Sequence, residues 1–161
     1  MKSINAVVFG LFAAVLTLVG CQRAEAVDFS LGYQDNQVID KEGVVASIGT
    51  QTKNGVRVGV NTFSTEDKLE TYGVYVASPI RLEGSKVFIT PQSQLDHYRD
   101  TDSVVGSLGA GVEYHFTKTL RLEGVALAHK GFNDTDVKGE TYTVKLTKTF
   151  LIQQLKQGRD A

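Results

Sequence analysis

The sequence predicts an all-β fold, an eight-stranded antiparallel up-and-down β-barrel, and three observations carry that expectation. Eight segments alternate apolar and non-apolar residues with the period of two expected of strands whose faces differ. Sixteen glycines and two prolines, with Thr and Val recurring throughout, suit strands and turns rather than helices. No amphipathic helical stretch interrupts the segments, and an even count suits a closed barrel.

An export address precedes the first strand. Lys2 supplies a positive start, and Ala6 to Val19 form an apolar run too short to span a bilayer comfortably but suited to a signal peptide. Two cleavage readings stand side by side. Ala24-Glu25-Ala26 fits ordinary signal peptidase, giving a signal peptide over 1–26, a barrel over 27–150 and a short periplasmic tail over 151–161. Leu18-Val19-Gly20-Cys21 instead resembles a lipobox, which makes Cys21 a candidate lipidation site and the chain a lipoprotein.

The strands follow in order. The first carries Val27, Phe29, Leu31 and Tyr33 on one face, with Asp28, Ser30 and Gly32 on the other. Val44, Ala46, Ile48 and Thr50 mark the second, and Val56, Val58, Val60 and Thr62 the third. Tyr72, Val74, Val76, Ile80 and Leu82 mark the fourth, and Val87, Ile89 and Pro91 the fifth. Leu108 to Phe116, Leu120 to Ala128 and Tyr142 to Phe150 complete the set. Three connections read as tight: Lys53-Asn54-Gly55 with glycine in the left-handed position, Glu83-Gly84 placing Ile80 opposite Val87, and Thr117-Lys118-Thr119. The alternate connections read as longer, polar loops: Gln34 to Gly43, Thr65 to Glu70, Asp96 to Ser103 and Lys130 to Glu140. Short turns at one end and long loops at the other are the habit of outer-membrane barrels.

Alternation alone does not say which face points outward. The non-apolar face is mostly Gly, Ser, Thr, Asn and Gln, without the abundant Lys of a solvated surface. On the apolar face Phe29, Phe116 and Phe150 fall near one rim and Tyr33, Tyr72 and Tyr142 toward the other, as in an aromatic girdle. With the export signal, these features predict a transmembrane barrel, apolar outside and polar inside.

Gly109-Ala110-Gly111-Val112-Glu113-Tyr114-His115-Phe116-Thr117, followed by Leu120-Arg121-Leu122-Glu123, resembles a hairpin of small outer-membrane barrels of the OmpA/OmpX and opacity type, in the porin-like superfamily. The final strand, Tyr142 to Phe150, resembles the aromatic-ended assembly signal of such proteins, with Lys148 in place of an apolar residue. The resemblance implies residence in the cell outer membrane. The partners it implies are outer-membrane lipid, the barrel-assembly machinery and an extracellular ligand met through the long loops.

Chemistry is sought on the inward face. The tight turn at Thr117 to Thr119 sets Glu113 opposite Glu123 and His115 opposite Arg121, with Arg57 and Lys145 inward from other strands. Facing carboxylates also occur in acid/base pairs and metal sites. An interior ion-pair network filling a narrow barrel, with Arg121 diagonal to Glu113 and Lys145 in reach of Glu123, is the stronger reading, since buried charges must be paired. Lipid A deacylases of the outer membrane carry His-x-Ser near a rim, whereas His129-Lys130-Gly131 offers no hydroxyl nucleophile. Gly106, Gly109 and Gly111 precede no helix, so close strand packing accounts for them better than a phosphate loop. His97 and Tyr98 are expected in a solvent-exposed loop.

No catalytic residue, metal site or cofactor is therefore assigned. Seventeen basic against 18 acidic side chains, a net charge of −1, lack the basic excess of a nucleic-acid binder. One Cys makes no internal disulfide, and with three scattered His builds no Cys-based zinc site. The functional expectation is a small integral outer-membrane barrel with a structural or surface-interaction role, in adhesion, receptor binding or envelope protection, and not an open pore. The alternative is a lipid-anchored, soluble, lipocalin-like barrel that binds an apolar ligand in the periplasm.

Overall fold

The structure is a computed structural model and describes residues 26–151. The expected signal segment up to Glu25, Cys21 included, and the expected tail beyond Leu151 lie outside those residues, while Ala26 and Leu151 themselves are strand residues. Nine antiparallel segments follow in order: β1 (Ala26–Asn36), β2 (Lys41–Gln51), β3 (Arg57–Ser64), β4 (Leu69–Ala77), β5 (Ile80–Arg81), β6 (Val87–Tyr98), β7 (Ser103–His115), β8 (Leu120–Gly131) and β9 (Lys138–Leu151). They make eight barrel strands, because β4 and β5 are one strand interrupted at Ser78-Pro79 and both pair with β6. Pro79 has no N–H to give to a ladder, so the break falls where proline dictates it.

Each strand pairs with its sequence neighbour, and β1 closes the ring on β9 from Ala26↔Leu151 to Asn36↔Thr141. Closure leaves no free sheet edge, the condition for strands to cross a bilayer with every backbone group bonded. The apolar face points outward. Among the described residues twenty large apolar side chains are exposed, from Phe29 and Leu31 on β1 to Val144, Leu146 and Phe150 on β9. The buried set is mainly polar, running from Asp28, Ser30 and Gln34 to Thr141, Thr147 and Thr149. A lipocalin-like barrel has the opposite sidedness, so the soluble alternative does not describe this chain.

Two of the three tight turns have the expected register. Thr52 N–H bonds Val56 O at 2.9 Å across Lys53-Asn54-Gly55, and Gly55 takes φ +81°. Phe116 N–H bonds Leu120 O at 3.0 Å, which sets Glu113↔Glu123 and His115↔Arg121. The third differs: Ile80 faces Ile89, not Val87, and Leu82 N–H bonds Val87 O at 3.0 Å. Ser85 causes the shift. Its hydroxyl donates to Leu82 O at 2.9 Å and accepts from Val87 N–H at 3.1 Å, stabilising a four-residue turn over Glu83 to Lys86.

The four expected long loops are short. Strands continue through Asn36, Tyr98 and Gly131 and resume at Lys41, Leu69, Ser103 and Lys138, so these connections span only 37–40, 65–68, 99–102 and 132–137. Asp40 at φ +53° and Asp102 at φ +49° supply the left-handed residue of two of them, a conformation aspartate tolerates better than most side chains. The two ends of the barrel therefore have connections of similar length. We call the end holding Ala26, Leu151 and the three expected tight turns the terminal end, and the other the distal end.

Candidate functional site

The terminal half of the lumen holds the charged residues. Arg57 on β3, Glu113 on β7, Arg121 and Glu123 on β8, and Lys145 on β9 all point inward and are buried. Arg57 Nη1 donates to Glu113 Oε1, and lies 3.7 Å from Glu123 Oε1. Arg121 Nε lies 3.4 Å from Glu123 Oε1 and 3.8 Å from Glu113 Oε2. Lys145 Nζ is 3.9 Å from Glu123 Oε2 and 5.4 Å from the centre of the Tyr75 ring. His115 is half-buried, with Nε2 3.0 Å from Glu113 Oε2 and its ring stacked on Phe88 at 4.1 Å. All six residues singled out from the sequence thus meet in one cluster.

Asp28 joins them and was not anticipated. It is 1% exposed, accepts from Arg121 Nη2 at 2.8 Å, and lies 3.8 Å from Arg57 Nε. Its inward parity on β1, among serine and glycine, is the signal that marks it in the sequence. Thr149 donates to Asp28 Oδ1 at 2.6 Å and accepts from Arg121 Nη1 at 3.1 Å, while Thr147 donates to Glu123. Three cations and three carboxylates therefore balance within the cluster, and β9 hydroxyls take up lone pairs the cations leave free.

Above the cluster the lumen narrows around Tyr75. Its hydroxyl would lie 2.3 Å from a Cβ at Gly49, and its ring edge 2.8 Å from one at Gly59, so glycine is required at both positions for the ring to cross the barrel. Gln34, Ser47, Asn61, Gln92, Gln94 and Thr143 surround what remains, a cavity of about 20 Å³ with room for about one water.

Among the described residues the distal half holds no ion pair in the lumen proper, below the Lys41–Glu70 pair at its mouth. Phe63, Tyr98 and Val105 are at most 2% exposed and block the bore together with Leu127. Asp96 is the one carboxylate among them, bonded only to neutral amides: Asn61 Nδ2 at 3.1 Å and Gln94 Nε2 at 2.6 Å. His129 is 5% exposed, with Nε2 2.8 Å from Thr141 Oγ1. The hydroxyl absent from His129-Lys130-Gly131 is thus supplied from β9. Thr141 is itself 2% exposed, and His129 Nδ1 has no partner among the described residues.

His97 and Tyr98 do not lie in an exposed loop. Both belong to β6 and are buried, Tyr98 inward and His97 outward, with the His97 ring 5.1 Å from Tyr72 and its Nε2 2.9 Å from Asp102. At the distal rim a β-bulge between Phe63 and Ser64 turns Glu70 into the barrel mouth, where it receives Lys41 Nζ at 2.7 Å. Lys68 clamps Asp100 at 2.6 Å and holds its carboxyl below the usual carboxylate range. Among the described residues no cluster of three or more His, Cys, Asp or Glu is arranged to hold a metal.

The architecture has solved counterparts. The N-terminal β-barrel domain of Pseudomonas aeruginosa OprF superposes with a TM-score of 0.61 at 11% identity, over 79% of this chain and 98% of that one. A de novo designed transmembrane β-barrel gives 0.57 at 12% identity, over 80% and 98%. The fold is that of a small transmembrane β-barrel. The Yersinia pestis outer membrane protein Ail, solved in a phospholipid bilayer nanodisc, gives 0.53 at 14% identity, over 78% and 99%. No protein-family model and no curated protein sequence matches the chain. In such a barrel the outward apolar residues face acyl chains and the polar cluster fills the lumen.

Proposed function

We propose that the chain is an integral outer-membrane barrel with a structural or surface-interaction role, not a conduit. The observation that carries this reading is sidedness: large apolar side chains cover the outside of a closed barrel whose lumen is polar and filled. Ion pairs close the terminal half and Phe63, Tyr98 and Val105 close the distal half, leaving no path for solute. An enzyme is disfavoured by the same filling, since the charged groups are bonded to one another and face no substrate-sized space. The finer roles, adhesion, receptor binding or envelope protection, fall to the distal connections, which are short and rich in Asp and Glu (Asp40, Glu66, Asp67, Asp134 and Asp136). Such a rim suits envelope protection, or a cationic partner, better than a broad adhesive surface. The barrel-assembly machinery and outer-membrane lipid are the partners this reading requires.

Fractionation of expressing cells tests it. The protein should stay with outer membranes through carbonate and high-salt washes, and should migrate differently on gels when boiled, because a closed barrel has no free edge from which to unfold. Release by salt, with identical migration of heated and unheated samples, would contradict it.

A further inference from the structure

The ends of the barrel differ in charge more than in loop length. Five exposed cations, Lys53, Arg81, Lys86, Lys118 and Lys148, lie at the terminal end, where Glu83 is the single exposed carboxylate among the described residues. None of the five lies within salt-bridge distance of a carboxylate among those residues. At the distal rim Lys41 pairs with Glu70 and Lys68 with Asp100, while Arg99, Lys130 and Lys138 lie among a larger number of carboxylates without pairing within salt-bridge distance among the described residues. Lys148 points outward beside Phe29 and reaches 2.8 Å to Thr119 Oγ1, carrying its charge toward the terminal rim as a lysine on a lipid-facing surface does.

Three of these cations surround one groove. It lies between the β5–β6 and β7–β8 turns, has a volume of about 370 Å³, and is lined by Arg81, Lys86, Lys118, Phe88, His115 and Phe116 along with the turn hydroxyls. Arg81 Nε is anchored on Ser85 O at 3.1 Å, and nothing among the described residues bonds its Nη groups. The Phe88 and His115 rings, stacked on each other, form one wall. Phe116, exposed and packed edge-to-face on Tyr114 at 5.1 Å, leads from the groove onto the outer apolar face, where Ile80 and Leu82 are also exposed.

We propose that this groove binds the headgroup of an anionic phospholipid, with the phosphate among Arg81, Lys86 and Lys118 and the acyl chains against Phe116, Tyr114 and Leu82. The proposal rests on the reading that the barrel spans a bilayer. Charge and hydrophobicity point to the same occupant. A soluble anion would use the cations and leave the continuous apolar strip idle, and a zwitterionic lipid would bring its own ammonium among three cations. Each basic side chain near an anionic lipid surface strengthens attraction roughly five-fold.

Native mass spectrometry tests the site, on the exported full-length protein refolded in micelles holding equimolar phosphatidylglycerol and phosphatidylcholine. The protein should retain phosphatidylglycerol over phosphatidylcholine by about ten-fold or more. That preference should fall to within about two-fold in the Arg81→Gln/Lys86→Gln/Lys118→Gln variant, and persist in the distal control Lys130→Gln/Lys138→Gln. Arg81→Gln alone, a single exposed change, should give an intermediate value. Equal retention of both lipids overturns the proposal, as does a preference that survives the triple variant or is lost equally in the distal control. Bound inorganic phosphate that displaces the lipid assigns the groove to a soluble anion and overturns it too. A heated and unheated gel of each sample separates the two levels of the argument. Absence of a heat shift contradicts the membrane-spanning reading itself, whereas a normal shift without lipid preference overturns the lipid site alone.

Discussion

The two halves of the lumen are closed by different physics. In the terminal half, Arg57, Arg121 and Lys145 meet Asp28, Glu113 and Glu123 in a balanced cluster with hydroxyls from β9. In the distal half, Phe63, Tyr98, Val105 and Leu127 pack with neutral amides, and the lone Asp96 has no cation beside it. The difference teaches what each half resists. A charge cluster holds its strands in one register, because a slip of one residue turns every charge to the lipid face. A packed aromatic and aliphatic plug tolerates exchanges of similar volume and excludes water without demanding partners. Exchanging one member for a neutral side chain of similar size is therefore serious in the first half and milder in the second.

The largest effect is expected from Arg121→Ala. It leaves Asp28 and Glu123 short of a counter-charge and should lower stability by about 3 to 5 kcal/mol, read by urea titration of the barrel refolded in detergent. Adding Glu123→Gln or Asp28→Asn should recover part of that loss, giving a coupling energy for each pair. Loss of similar size with no recovery in either double variant would mean that the arginine acts through packing alone.

Neutralising one carboxylate in each half sharpens the contrast. Glu113→Gln keeps the shape but weakens the bond from Arg57, and should cost about 1.5 to 3 kcal/mol, as charged hydrogen bonds do. Asp96→Asn keeps an acceptor for Asn61 or Gln94 while removing an unpaired buried charge, so stability should change by no more than about 1 kcal/mol and in the favourable direction. Equal losses from the two substitutions would erase the distinction between the halves.

The smallest effect lies at the distal rim. The folded Asp100 carboxyl is held below its ordinary range by Lys68, so the clamp is fully present above the unfolded pKa and is lost as pH falls through the lower folded one. Acidification through that range should therefore loosen the connections at 65–68 and 99–102, seen as lower amide protection factors there. Asp100→Asn should remove that step and little else, because the pair is solvent-exposed and screened.

Much of the barrel was legible in the sequence, for a physical reason. Lipid outside and polar filling inside enforce opposite chemistry on alternate residues, so Val27-Phe29-Leu31-Tyr33 and its counterparts separate cleanly into one face, and the composition of the other face indicates which of the two points outward. The three-residue turns at Asn54 and Lys118 then fix register, which is how Glu113↔Glu123 and His115↔Arg121 could be placed. Strand ends were less legible. Where the inward face is polar, Gln34-Asp35-Asn36 and Asp96-His97-Tyr98 have the composition of a loop, and only their burial and pairing show them to be strand. The same blindness hid the role of Asp28, since one carboxylate among serine and glycine has no local mark of its partners on β3 and β8. Ser85 shifted a turn by side-chain hydrogen bonds that spacing does not encode.

The central claim is that the exposed apolar face meets acyl chains while the lumen is dry of lipid and closed to solute. The natural chain contains no tryptophan, so single introductions report on one site each. Val112→Trp, outward on β7, and Phe63→Trp, inward on β3, should be compared in bilayers containing lipids brominated on the acyl chains, with acrylamide as the aqueous quencher. The account expects strong bromine quenching and weak acrylamide quenching for Val112→Trp, and weak quenching by both for Phe63→Trp. Strong acrylamide quenching of Val112→Trp without any effect of bromine would place that face in water and contradict the account.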